Sequence, residues 1–248
     1  MSRLSPSTLL TILFDLFLLW VVYQFALGGW QNAALLLSRF GFLPWLVLVV
    51  ILWLLYYRSD WRVDLPIFLA GLALGYWGEW WGTTREVWTY WNGATPPVYL
   101  PPLWGIGVLT AYRFHGLLLL LFKRDPPAWV RWSMIALFFL LPLLTFAHSW
   151  PLLAAVDWRG RLDVHFFAGL VLAVSMVLYH FELRQTFLLY LCGTLLGGFY
   201  ETMGTSWGEW TYITGEVPPW WIAPLWGYAV VAMVRLAEVA RKQLVKLK

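Results

Sequence analysis

The chain has 248 residues, 61% of them hydrophobic and only 12% charged, with a net charge of +4 and a mean hydropathy of +0.67. Soluble domains carry roughly a quarter charged residues, so this balance excludes an ordinary soluble enzyme and points to a bilayer. The basic excess is of the kind cytoplasmic loops carry, so no nucleic-acid partner is expected. A single cysteine, Cys192, excludes an intrachain disulfide and a multi-thiolate metal site.

Apolar runs of bilayer length predict eight spans. The first, Thr8–Gly28, carries one acid, Asp15, a secondary site candidate whose partner is expected to be a hydroxyl. Its apolar length exceeds a secretory signal core, so it reads as a span. Phe42–Tyr57 follows, then Leu65–Trp81, which holds Gly71, Gly75 and Glu79. Val98–Phe114 opens after Pro96-Pro97 and contains Trp104. Ala128–Ser149 has His148 next to its end, and Val164–His180 is preceded by Asp163 and holds His165. Thr186–Met203 holds Gly193, Gly197 and Glu201, and Trp220–Leu236 contains Trp226. With the N-terminus placed inside, 13 Lys and Arg fall on the inner side. Four, Arg39, Arg85, Arg159 and Arg161, fall outside. This positive-inside bias predicts a multi-pass protein of the cell (inner) membrane with both termini cytoplasmic.

The chain also repeats itself. Moved by 122 residues, the offset between Thr89 and Thr211, the segment Gly75–Val108 aligns without a gap on Gly197–Val230. Fifteen of those 34 positions are identical, including Glu79/Glu201, Gly82/Gly204, Trp88/Trp210, Tyr90/Tyr212, Pro96/Pro218 and Trp104/Trp226. The offset brings all eight spans into register, four on four. The reading is therefore an all-α, polytopic membrane bundle, a tandem duplication of a four-helix unit, with residues 1–122 and 123–248 as the two copies in one membrane domain. An even number of spans per copy predicts parallel pseudo-two-fold symmetry.

Gly71 and Gly75, like Gly193 and Gly197, are four apart and predict close helix packing. Glu79 and Glu201 extend the same stripe at about 100° per residue, so each faces protein. Either the two carboxylates meet at the symmetry axis, or each points at its own copy's Pro-Leu-Trp-Gly helix. Intramembrane carboxylates are functional candidates by default, and here locking the outer loop is an equal alternative. Trp88, Tyr90, Trp104, Trp210, Tyr212 and Trp226 stand at fixed spacing from a Glu and a Pro pair. That spacing predicts a folded aromatic lid over the outer ends of the spans rather than a simple interfacial belt. His148, Asp163 and His165 have no counterparts in the first copy and match no metal signature, so neither metal nor cofactor is expected.

The pattern Glu-x2-Gly-Thr…Trp-Thr-Tyr…Pro-Pro…Pro-Leu-Trp-Gly resembles the carotenoid-biosynthesis membrane proteins that hydrate terminal double bonds of acyclic carotenoids. The resemblance covers about 35 residues per copy. It implies an outward-facing pocket for an isoprenoid or pigment, in which Glu79 or Glu201 protonates an alkene while Trp88, Trp104, Trp210 and Trp226 stabilise the cation. Two other readings stand beside it: a non-catalytic membrane subunit binding lipid, pigment or a protein complex, and a proton-coupled transporter or flippase.

Overall fold

The structure is a computed structural model that describes residues 5–29, 41–124 and 126–246. Arg3, Arg39 and Lys248, which enter the charge asymmetry, lie outside the described residues. Among the described residues are eight helices: α1 (Pro6–Gly29), α2 (Leu43–Tyr56), α3 (Trp61–Thr84), α4 (Leu100–Leu121), α5 (Ala128–Ala155), α6 (Val164–Leu178), α7 (Leu183–Trp207) and α8 (Ile222–Lys246). The all-α expectation holds, with one small addition. The two Trp-Thr-Tyr segments are strands, β1 (Trp88–Tyr90) and β2 (Trp210–Tyr212), and they pair with each other.

Four helices are long and apolar enough to cross a membrane, over Pro6–Tyr23, Leu100–Leu121, Ala128–Ala155 and Ile222–Gln243. This is a helical chain with the make-up of a membrane protein. The other four helices differ in kind. α2 and α6 are apolar but have only 14 and 15 residues. α3 and α7 are long, with 24 and 25 residues, but their Gly, Thr and Glu residues, most of them packed against protein, lower the apolar content.

Local chemistry explains where several helices begin and end. The Asp60 carboxylate accepts from the Arg62 amide at 3.0 Å and starts α3. Glu182, at the equivalent place, accepts from the Arg184 and Gln185 amides and starts α7. Asp163 does the same for α6. Such caps satisfy amides that have no partner inside the helix. Gly208, at φ +72°, ends α7 in a left-handed conformation that glycine adopts without steric cost.

The core is built from α3, α4, α7 and α8. α3 packs along α4 and α7 along α8, and the pairs join through α3 on α8 and α4 on α7. Leu109, Ala111, Val108, Val230 and Val231 are fully enclosed there, as is the Cys192 thiol. α1 leans on α3 and α4, α2 on α4, α5 on α7, and α6 on α8. These outer helices present bare apolar side chains, such as Leu46 at 61%, Leu144 at 65% and Val171 at 65% exposure. Apolar surface on that scale fits lipid rather than water.

The glycines divide by task. A Cβ on Gly71 would lie 2.9 Å from the Gly105 Cα, and one on Gly193 would lie 3.0 Å from the Gly227 Cα. These two let backbones touch. Gly75 and Gly197 instead make room for indole rings: a Cβ there would meet Cγ of Trp104 at 2.3 Å and of Trp226 at 2.2 Å. Gly82 and Gly204 seat Trp88 and Trp210 even more tightly. Gly78, by contrast, faces open space. Gly197→Ala should therefore cost about 1–3 kcal/mol by overpacking, read from denaturant unfolding in mixed micelles. Gly78→Ala should be neutral or slightly stabilising in the same measurement.

Candidate functional site

Glu79 is 7% and Glu201 4% exposed, each one helical turn after a ring-seating glycine. Each carboxylate accepts three hydrogen bonds from its own half of the chain. Glu79 takes Trp88 Nε1 and Tyr90 Oη on Oε2 and Trp104 Nε1 on Oε1, all at 2.9 Å. Glu201 takes Trp210 Nε1 at 3.0 Å and Tyr212 Oη at 2.9 Å on Oε2, and Trp226 Nε1 at 2.9 Å on Oε1. Thr83 and Thr205 close the turn below, each donating at 2.6 Å to the backbone carbonyl of its Glu. Every side-chain partner of the carboxylates is a neutral donor, and no ion pair reaches either Glu among the described residues. Hydrogen bonds to a charged acceptor contribute about 1.5–3 kcal/mol each.

Of the two arrangements the sequence allows, each carboxylate takes the second and points at its own Pro-Leu-Trp-Gly helix. What meets between the halves is the aromatic frame around them. Trp104 and Trp226 stack face to face, with centroids 3.8 Å apart and planes at 6°. β1 and β2 run antiparallel, pairing Trp88 with Tyr212 and Tyr90 with Trp210 about a central Thr89–Thr211 pair. The two nests therefore stand side by side across one small sheet. Tyr99 donates across the halves to Glu209, a link with no counterpart because Val87 stands where the second half has Glu209.

A cavity of about 1620 Å³ is bordered by this frame. Its wall includes both Glu residues and all six aromatic side chains of the nests. The rest is mostly apolar, drawn from matching positions of the two halves: Leu48 and Leu170, Leu100 and Ile222, Leu103 and Leu225.

The connection from α5 to α6 packs against the C-terminal end of α3. Arg85 forms an ion pair with Asp163 at 2.6 Å, and the Trp81 indole donates to the Arg161 carbonyl at 3.1 Å. Desolvation works against the Asp163 carboxylate, but bonds from Arg85 and the Phe166 amide outweigh it and hold the group below the ordinary carboxylate range. His165 packs on Trp80, with centroids 5.0 Å apart. His148 is elsewhere, edge-on to Trp220. Asp15 accepts from Ser59 Oγ at 2.7 Å, far from the nests along the chain. These four secondary candidates thus divide among three places.

Three further contacts escaped the sequence reading: Tyr99 with Glu209, Ser149 with Glu216 at 2.5 Å, and Asp64 with Arg113. Each joins residues far apart in the chain. The one available signal was a charged side chain in an apolar setting. Among the described residues, no three His, Cys, Asp or Glu side chains converge as a metal site would require. No protein-family model, curated protein or solved structure matches the chain.

The nest makes a direct prediction. In Glu201→Gln the amide N–H2 must face Trp226 or the Trp210–Tyr212 pair, donor against donor. The variant should be less stable by about 1–3 kcal/mol for each indole left unpaired, read as a lower unfolding free energy. Tyr212→Phe removes one bond of three and should cost less. Equal stability of Glu201→Gln and wild type would exclude a structural role for the nest.

Proposed function

We propose that this chain is a multi-pass protein of the inner membrane that binds a long apolar lipid, of isoprenoid type, in the cavity under its outer aromatic frame. On this reading it is a tandem duplication of a four-helix unit, with an even number of crossings per half and both termini inside. The matched Glu nests, 122 residues apart, and the ladder between β1 and β2 support the duplication. The Lys and Arg asymmetry supports the orientation.

One observation carries the binding role: a cavity of about 1620 Å³, walled by aliphatic and aromatic side chains from both halves. Drug-sized ligands occupy roughly 300–1,000 Å³, so the space suits something larger, and its walls suit something with few polar atoms. The two carboxylates serve here as anchors. By holding three aromatic donors each, they keep the indole faces in the cavity wall.

Acid-catalysed modification of an alkene is the second reading, favoured by the place of both Glu residues in that wall. It requires a carboxyl oxygen to leave one of its three donors when the ligand enters.

Mass spectrometry of lipids retained by gently purified protein tests both. Wild type should carry one class of long apolar lipid in near-stoichiometric amount. Gly78→Trp, which fills open space in the cavity wall, should fold normally and lose most of it. Equal retention by Gly78→Trp would exclude the cavity as the binding site. A retained lipid converted by wild type but left unconverted by a folded Glu201→Gln variant would favour catalysis.

A further inference from the structure

The wall of the large cavity draws on matching positions of the two halves, yet its chemistry is not matched. It holds three acids, Glu79, Glu201 and Glu209, and no Lys, Arg or His among the described residues. Glu79 and Glu201 are saturated, each carboxylate taking three aromatic donors. Glu209 is not. Its Oε1 accepts from Tyr99, while Oε2 takes no hydrogen bond and no ion pair reaches the group among the described residues. Glu209 is half-buried and lies two residues past the end of α7. Its backbone carbonyl accepts from the Trp91 amide at 3.0 Å, which fixes it beside β1.

The unmatched polar groups gather on one side. Tyr99 precedes α4, Tyr200 lies on α7, and α4 packs along α7. The Tyr200 ring reaches towards α4, its Cε2 standing 3.7 Å from where a Cβ on Gly107 would be. Moved by the repeat offset, the other half has Val87 for Glu209, Trp221 for Tyr99 and Gly78 for Tyr200. Those three belong to the side formed by α3 and α8, which also pack together. Val87 and Trp221 are buried there, at 2% and 6% exposure, and Gly78 faces open space. At these matched positions one side offers a carboxylate oxygen and two phenols. The other offers apolar side chains and room.

This wall is unsuited to an anion. Phosphate and carboxylate groups are held by Arg, Lys or unpaired amide N–H groups, and here they would meet three acids and no cation. A hydrogen-bond donor meets the opposite situation, because the open Glu209 oxygen lacks one and a bond to a carboxylate is among the stronger kinds. On the reading that the cavity holds a long apolar lipid, we propose that this lipid has a single head that donates hydrogen bonds, a hydroxyl or an ammonium group. Glu209 holds the head on the α4–α7 side, and the chain lies against the α3–α8 side, over Gly78. The cavity therefore selects by head group as well as by chain and rejects isoprenoid phosphates and fatty acids. It takes its ligand in one orientation although its frame is two-fold.

Saturable change of intrinsic tryptophan fluorescence tests this on the full-length protein, delipidated in detergent micelles. The probes are geranylgeraniol and the amine, monophosphate and hydrocarbon of the same chain. Wild type should bind the alcohol or the amine at least about tenfold more tightly than the monophosphate. The tighter of those two identifies the head as hydroxyl or ammonium. Glu209→Gln keeps an acceptor for Tyr99 and should lose most of the preference, with hydrocarbon binding unchanged. If that variant does not fold, the wild-type ranking of the four probes decides. Gly78→Trp should weaken all four. A monophosphate or hydrocarbon bound as tightly as the better of the alcohol and the amine overturns the head-group assignment and leaves the lipid cavity standing. A preference unchanged in folded Glu209→Gln does the same. Binding of none of the four, or undiminished binding by Gly78→Trp, overturns the cavity reading and the assignment with it.

Discussion

A carboxylate enclosed by apolar side chains, with no cation beside it, has to draw its stabilisation from neutral donors. Glu79 and Glu201 are in that position, and much of the structure around them follows from it. Three donors must reach two oxygens inside a packed helix bundle. Indole is suited to this, because it delivers one N–H at the end of a large apolar body. Two indoles can approach a helix so closely only where that helix has no Cβ. The spacing Gly75, Glu79, Gly82 therefore belongs to one device: two glycine seats flanking an acid, with Trp104 and Trp88 pressed into them. Gly197, Glu201 and Gly204 repeat it with Trp226 and Trp210.

The same device joins the halves. Trp88 and Tyr90 can serve one carboxylate only from an extended segment, in which residues two apart point the same way. That segment has open edges, and the matching segment of the other half pairs with one of them. The rings that bond to Glu79 and Glu201 through Oε1 then stand close enough to stack. Two satisfied acids, one ladder and one indole pair together form a frame whose Glu, Trp and Tyr residues line the large cavity.

Against this matched frame the halves differ in their unmatched polar groups. The first half has Asp15, which accepts from Ser59, and Asp64, which pairs with Arg113. The second half has its own extra contacts, in which Asp163 holds Arg85 and Ser149 holds Glu216. Leu137 and Thr186 stand in the second half where the first half has Asp15 and Asp64. The Glu of a nest is the same in both halves, and its loss strands three buried donors at once.

The sequence by itself determined the helical, membrane-type character, the eight helices and the identity of the nest residues. Apolar run length and a 122-residue identity pattern are local or one-dimensional signals, and both survive in a single chain. It also placed Glu79 and Glu201 on protein-facing stripes, since helical periodicity alone dictates that. Only the tertiary structure decided that each acid bonds within its own half, that Trp-Thr-Tyr is a strand rather than a loop, and that Gly75 seats a ring rather than a backbone. The partner of Asp64, on α4, likewise came only from the fold. Those outcomes depend on which surfaces meet across scores of residues, and no periodicity in the chain records that.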